Sequence, residues 1–175
     1  MRQYGSIILA LLAMGLVLDG AKAADAPTTQ NGVAMVSESD SGVGLSFERP
    51  QSWLAEGSKI INPKSGETEV AFAEDNRRLC TLKISGVSEP GVTYKIDTTT
   101  PADPSATVSK ILQIDGHPAR MTAHRIPDSD SELLIVQMAN GPRSCTASFI
   151  FPRSQRDRHL KIIDAVCASI KYLKS

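Results

Sequence analysis

The sequence predicts an α+β fold: a central antiparallel β-sheet with a C-terminal helix packed on one face. Three observations predict it. Between Gly44 and Pro152 the chain runs in short apolar-polar alternations separated by Gly, Pro, Asn and Asp clusters, the pattern of half-buried strands and tight turns. The one sustained helical period comes last, where Leu160, Ile163, Val166, Cys167, Ile170 and Leu173 fall on one stripe. Strands in series followed by a lone helix give a sheet covered on one face, not an alternating β-α-β layering.

Ahead of the domain, Arg2, the apolar run from Ile7 to Leu18 and Ala21-Lys22-Ala23 read as a secretory signal peptide over 1–23. The run falls short of the roughly 20 apolar residues a membrane-spanning helix needs. The expectation is cleavage before Ala24, no membrane insertion afterwards, and a periplasmic or secreted destination. Residues 24–42 are rich in Ala, Thr, Ser and Asp with little apolar period, and read as a flexible tether. A single domain over 43–175 follows, long enough to bury a core.

Within the domain, Gly44 to Pro50 alternates as a strand, and Trp53 anchors the corner after it. Ser58 to Asn62 is a short strand ended by the turn Asn62-Pro63-Lys64-Ser65-Gly66. Glu69–Ala73 and Leu79–Ser85 form a hairpin, with Cys80, Leu82 and Ile84 on its apolar side. Glu89 to Ser105, rich in Pro and Thr, reads as an extended loop with a brief strand near Val92 to Ile96. Ala106 to Leu112 is either a short helix or the start of the next strand. Asp115-Gly116 is a type I′ hairpin signal, and His117 stands just behind it. Pro127 to Ser131 and Asn140-Gly141-Pro142 make two further turns around the apolar strand Glu132 to Ala139. Ser144 to Phe151 places Cys145, Ala147, Phe149 and Phe151 on one face.

Composition narrows the function. Nineteen basic and nineteen acidic residues balance, with three His, so no basic field draws nucleic acid. One Trp, three Tyr and four Phe are a thin supply of base-stacking rings. Three cysteines, Cys80, Cys145 and Cys167, all fall on inward stripes. A Cys80–Cys145 bridge is the expected pairing, with Cys145–Cys167 the alternative, since connectivity is not readable from sequence.

Chemistry is hard to find. No Gly-x-Ser-x-Gly elbow is present, and Ser144 reads as part of a hairpin. His117 and His124 are seven apart on one strand, so they face opposite ways. His159 is expected on the polar side of the helix start. Asp128-Ser129-Asp130-Ser131-Glu132 lacks the glycine and the distal glutamate of a calcium loop. The expectation is therefore no catalytic residue, no cofactor and no metal. Candidate contact residues are Asp75, Arg77 and Arg78 at a hairpin tip and Tyr94 in the long loop, because loops on a rigid scaffold often carry function.

Four short motifs, in order, carry a resemblance. They are Phe47-x-x-Pro50-x-x-Trp53, Asp115-Gly116-x-Pro118-Ala119, Phe149-x-Phe151-Pro152 and Ala168-Ser169-Ile170. From Val43 to Leu173 the chain resembles the Mog1/PsbP-like domain family, which includes photosystem II extrinsic proteins and small secreted bacterial proteins. The resemblance implies a central antiparallel sheet with helices against it and a binding or accessory role, with no travelling catalytic motif. Glu89 to Ser105 departs from it, standing where the family often has a longer helix. The resulting expectation is an exported, non-enzymatic protein of the cell envelope that binds a protein or small-ligand partner. The alternatives are a periplasmic inhibitor or immunity-type protein, and a secreted hydrolase using His117 or His124.

Overall fold

A computed structural model of the chain describes residues 28–30, 32–75, 79–100 and 103–174. The expected signal peptide, Arg77 and Arg78 lie outside the described residues. In chain order the strands are β1 (Thr28–Gln30), β2 (Val33–Asp40), β3 (Leu45–Pro50), β4 (Trp53–Ala55), β5 (Ile60–Ile61), β6 (Thr68–Glu74), β7 (Thr81–Ser88), β8 (Val108–Ile114), β9 (His117–Arg125), β10 (Ser131–Asn140) and β11 (Arg143–Pro152). A single 3-10 turn leads into helix α1 (Arg156–Ser169), and β12 (Lys171–Tyr172) ends the fold.

These strands make two antiparallel sheets. The larger has the order β4-β6-β7-β11-β10-β9-β8, with β5 also pairing to β6. The smaller has the order β1-β2-β3-β12. Alternation along the larger sheet does what its period requires. Leu82 and Ile84, Ala119 and Met121, Leu134 and Val136, and Ala147 and Phe149 are all buried on one face. The smaller sheet and α1 together close over that face. Phe47 meets Phe72 edge-on with ring centroids 5.8 Å apart, and Ile163 and Val166 of α1 join the same apolar cluster. Trp53 is fully buried at its corner.

Two glycines let the layers meet. Gly86 sits on the inner face opposite Cys145, and a Cβ built there would stand 2.4 Å from the Val43 carbonyl oxygen. The β2–β3 turn therefore seats directly on the β7 backbone. Gly44 has φ +79, and a Cβ there would meet the Arg143 side chain at 3.3 Å. Arg143 donates to the carbonyls of Gly44 and Leu173, fastening the end of the chain to that same turn.

Asp115 and Gly116 have φ of 50° and 78°, as a type I′ turn between β8 and β9 requires. The stretch after Ala106 is strand, not helix. No strand forms between Val92 and Ile96. Instead the described residues 89–100 and 103–107 form a strap. The Tyr94 N–H donates to the Gly141 carbonyl, and Arg120 on the outer face of β9 donates to the carbonyls of Asp97 and Thr100.

Two expectations need correcting. Residues 24–42 are not all tether: β1 and β2 lie within them, and β2 pairs with β3 from Met35 to Asp40. Only Met35 of β2 is fully buried, so the strand leaves almost no apolar period to read. Backbone pairing and the Arg49–Glu38 ion pair, 2.6 Å, hold it. Nor is the Cys80–Cys145 bridge formed, since all three cysteines are buried free thiols. Cys145 is opposite Gly86 while Thr81 is opposite Ile150. The two cysteines are thus offset along the ladder by the span from Cys80 to Gly86, about 20 Å at roughly 3.3 Å per residue, far beyond disulfide reach.

Candidate functional site

The densest cluster of reactive side chains lies where α1 begins. Phe72 and Glu74 of β6 both point inward, so the strand ends by burying a carboxylate. The first turn of α1 turns His159 toward the sheet, where it is 0% exposed. The expectation of a solvent-facing His159 is therefore wrong. Its Nε2 lies 2.9 Å from Glu74 Oε2, and its Nδ1 lies 3.1 Å from the Gln155 carbonyl. Arg158 donates to the other carboxylate oxygen. The imidazole stacks on Phe151 at 5.7 Å and 29°. Cys80 is next door, its carbonyl accepting the Glu74 N–H at 2.7 Å.

Cysteine, histidine and glutamate together resemble a nucleophile with its base. The environment decides otherwise. Burial pushes the Cys80 thiol up to about 12, and the Glu74 charge adds to the rise. Attack needs a thiolate and access, and this site offers neither. Burial likewise pushes Cys145 to about 11 and Cys167 to about 12. The cluster is a latch that pins the start of α1 to the end of β6.

The outer histidine has its own grouping. The Ser105 hydroxyl donates to Asp103 at 2.7 Å and lies 3.5 Å from His124 Nδ1. In a working triad the histidine stands between serine and carboxylate. Here the carboxylate takes the serine hydroxyl directly, and the histidine stands outside. His117 faces the other way and meets the Tyr172 ring edge-on at 5.3 Å. Asp115 beside it accepts the Tyr172 N–H at 3.0 Å. The Asp-Gly-His-Pro turn thus docks onto β12, and its histidine is a packing contact. Among the described residues no group of three or more His, Cys, Asp or Glu is placed to hold a metal.

A cleft of about 600 Å³ opens beside α1, lined by Thr107, Arg125, Arg153 and Arg156 with Asp130 and Glu132. Its charges largely cancel. Arg156 meets the buried Glu132 at 2.9 Å, and Arg153 meets Asp130 at 3.5 Å. Thr107 also donates to Glu132, at 2.6 Å.

Of the candidate contact residues, the described Asp75 and Tyr94 are not brought together. Asp75 is at the β6–β7 tip with φ 48. Tyr94 is at the opposite end of the sheet, beside Gly141, with its hydroxyl donating to Glu89 at 3.0 Å. Sequence reasoning missed Glu74, His159 and Glu132. The available signal was a carboxylate inside, or at the end of, an otherwise apolar strand.

No family model matches the chain, and no curated protein matches it in sequence. Solved structures do. One is cyanobacterial PsbP (CyanoP) from Synechocystis, 17% identical, covering 79% of this chain and 92% of that one, with TM-score 0.60. Another, from Bacteroides thetaiotaomicron, is 11% identical and covers 77% of this chain and 47% of that one, with TM-score 0.47. The order of strands, the single terminal helix and the match to CyanoP agree: the chain has a PsbP-like α+β fold.

Proposed function

We propose that the protein is an exported binding or accessory protein of the cell envelope, with no catalytic centre of its own. One observation carries this reading: the side chains best suited to nucleophilic chemistry are held in unreactive states. The three thiols are buried, with burial raising each of them. The Ser105 hydroxyl is committed to Asp103. Export rests on the N-terminal pattern of Arg2, the apolar run and Ala21-Lys22-Ala23. No helix among the described residues is long and apolar enough to cross a membrane.

The test is recovery of the tagged full chain from an envelope fraction under native conditions. A stoichiometric protein or small-molecule partner supports the proposal. A hydrolase screen runs alongside, with His124→Ala as control. Turnover that disappears in that variant would overturn the non-enzymatic reading and restore the hydrolase.

A further inference from the structure

The two edges of the large sheet are built differently. One edge is carried by β4 and β5, three and two residues long, with Gly57 at φ +68 between them. Short, interrupted edge strands cannot template a long ladder, and natural proteins use them for that reason. The other edge is β8, seven residues in regular register with β9 from Val108 to Ile114. Among the described residues nothing pairs with its far side. It holds no proline and no bulge. Its one charge, Lys110, lies 3.8 Å from Asp164 of α1. At its centre Ile111 is 43% exposed. A regular strand with a free row of N–H and C=O groups and an exposed apolar centre is a pairing template.

We propose that two copies of the chain associate through β8, edge to edge and antiparallel, about a two-fold axis at Ile111. The occupant follows from the strand's own sequence. A two-fold axis normal to the sheet keeps inner faces together, so each residue must meet one of the same face. Centred on Ile111, the register sets Ile111 against itself, Val108 against Ile114, Ser109 against Gln113 and Lys110 against Leu112. Apolar residues meet apolar ones, and polar Ser109 meets polar Gln113. The lysine stem lies on a leucine while its ammonium stays with Asp164. A shift to a Lys110 centre would set two ammonium groups face to face, which is unfavourable for cross-strand pairs.

The same axis brings both α1 helices to one side of the seam. Each copy then contributes one Lys110 and one Asp164 there, and Asp164 is exposed, so the seam is charge-balanced. A seam of seven residues is roughly 23 Å long and, with sheet and helix layers, about 20 Å deep, burying on the order of 450 Å² per copy. That is the low end of specific interfaces and points to reversible self-association, not to an obligate dimer. The proposal stands independently of the export and binding reading.

Sedimentation of the purified full chain, from micromolar to sub-millimolar concentration, tests it. The expected result is a concentration-dependent monomer–dimer equilibrium. Ile111→Lys and Ile111→Glu each place like charges on the axis and should raise the dissociation constant at least about tenfold. An equimolar mixture of the two variants should recover the dimer, which a merely damaged fold would not do. Ile111→Cys should form a disulfide-linked dimer on mild oxidation, since directly opposed strand residues stand about 4.5–5.5 Å apart. The native thiols are buried and do not compete. A wild-type chain that stays monomeric throughout, or a dimer that persists unchanged in Ile111→Lys, would overturn it.

Discussion

The Glu74–His159 latch makes a quantitative prediction about how a buried polar pair contributes. Take two apolar replacements, Glu74→Leu and His159→Phe. The first leaves His159 Nε2 without its partner in a site with no solvent access. Arg158, about half exposed, can return to water. A buried donor without an acceptor costs about 1–3 kcal/mol, rising toward roughly 3–5 kcal/mol when the stranded group is charged. The second replacement keeps the stack on Phe151 but leaves Glu74, 9% exposed in its side chain, with Arg158 as its remaining side-chain partner. Its cost falls in the same range. The double variant strands neither group and fills the site with apolar volume, a change that is often near neutral. The expected coupling energy is therefore at least about 1–2 kcal/mol in favour of the double variant. Urea denaturation of the four proteins, read by circular dichroism, measures it. Additivity within about 0.5 kcal/mol would show that the pair is not a unit, and the latch reading would fail.

Other consequences can be checked separately. Gly86→Ala should destabilise the fold by about 1–3 kcal/mol through overpacking, because the added methyl meets the Val43 carbonyl at 2.4 Å; a variant as stable as wild type in thermal melts would refute the close approach. The thiols, raised by burial to about 11–12, should resist alkylation in the native state at about pH 8 and all react in denaturant. Their folded values lie above the unfolded one near 9.0, so stability should be unaffected below that pH and decline as pH rises from it; a flat alkaline profile would contradict the burial. In the strap, the Thr100 hydroxyl and the Thr99 N–H hold Asp97 well below the usual carboxylate range, and the Ser105 hydroxyl and N–H lower Asp103. Each contribution is present above the ordinary carboxylate value and lost as pH falls through the lowered one. The amide resonances of Thr99, Thr100 and Ser105 should therefore move only below about pH 4, and a midpoint above that would be inconsistent with these bonds.

What sequence could reveal here depended on whether a residue's environment is local. Strands β7, β9, β10 and β11 are readable because each buries alternate residues, whereas β8 buries only Ile114 and leaves helix and strand open; Asp115-Gly116 is readable because only that turn type suits it. Strand β2 is not, since it buries little beyond Met35 and is held mainly by pairing to β3. His159 defeated the helical period for another reason. A histidine counts as polar in any amphipathic pattern, yet Glu74, eighty-five positions away, makes its burial tolerable. The inward faces of the cysteines follow from the strand period, but facing inward does not make them neighbours, because register along the ladder separates Cys80 from Cys145. The strap shows only a loop in its own residues, because its anchors, Arg120 of β9 and Gly141 of the β10–β11 turn, follow it in sequence.

The two residues of β12 set an order of assembly. They close the smaller sheet by pairing Lys171 with Ser46 and Tyr172 with Leu45, joining the last strand to one of the first. That contact is among the most distant in the chain, so loop closure penalises it heavily and it belongs late in folding. The hairpins from β6 to β11 are local and can form first. The β1–β2–β3 pairing is local too, and only the β12 edge of the smaller sheet must wait for the C-terminal residues, with Asp115 ready to receive the Tyr172 N–H. A chain emerging N-terminus first, from a ribosome or a translocation pore, therefore keeps β3 without its outer neighbour until its final residues are free.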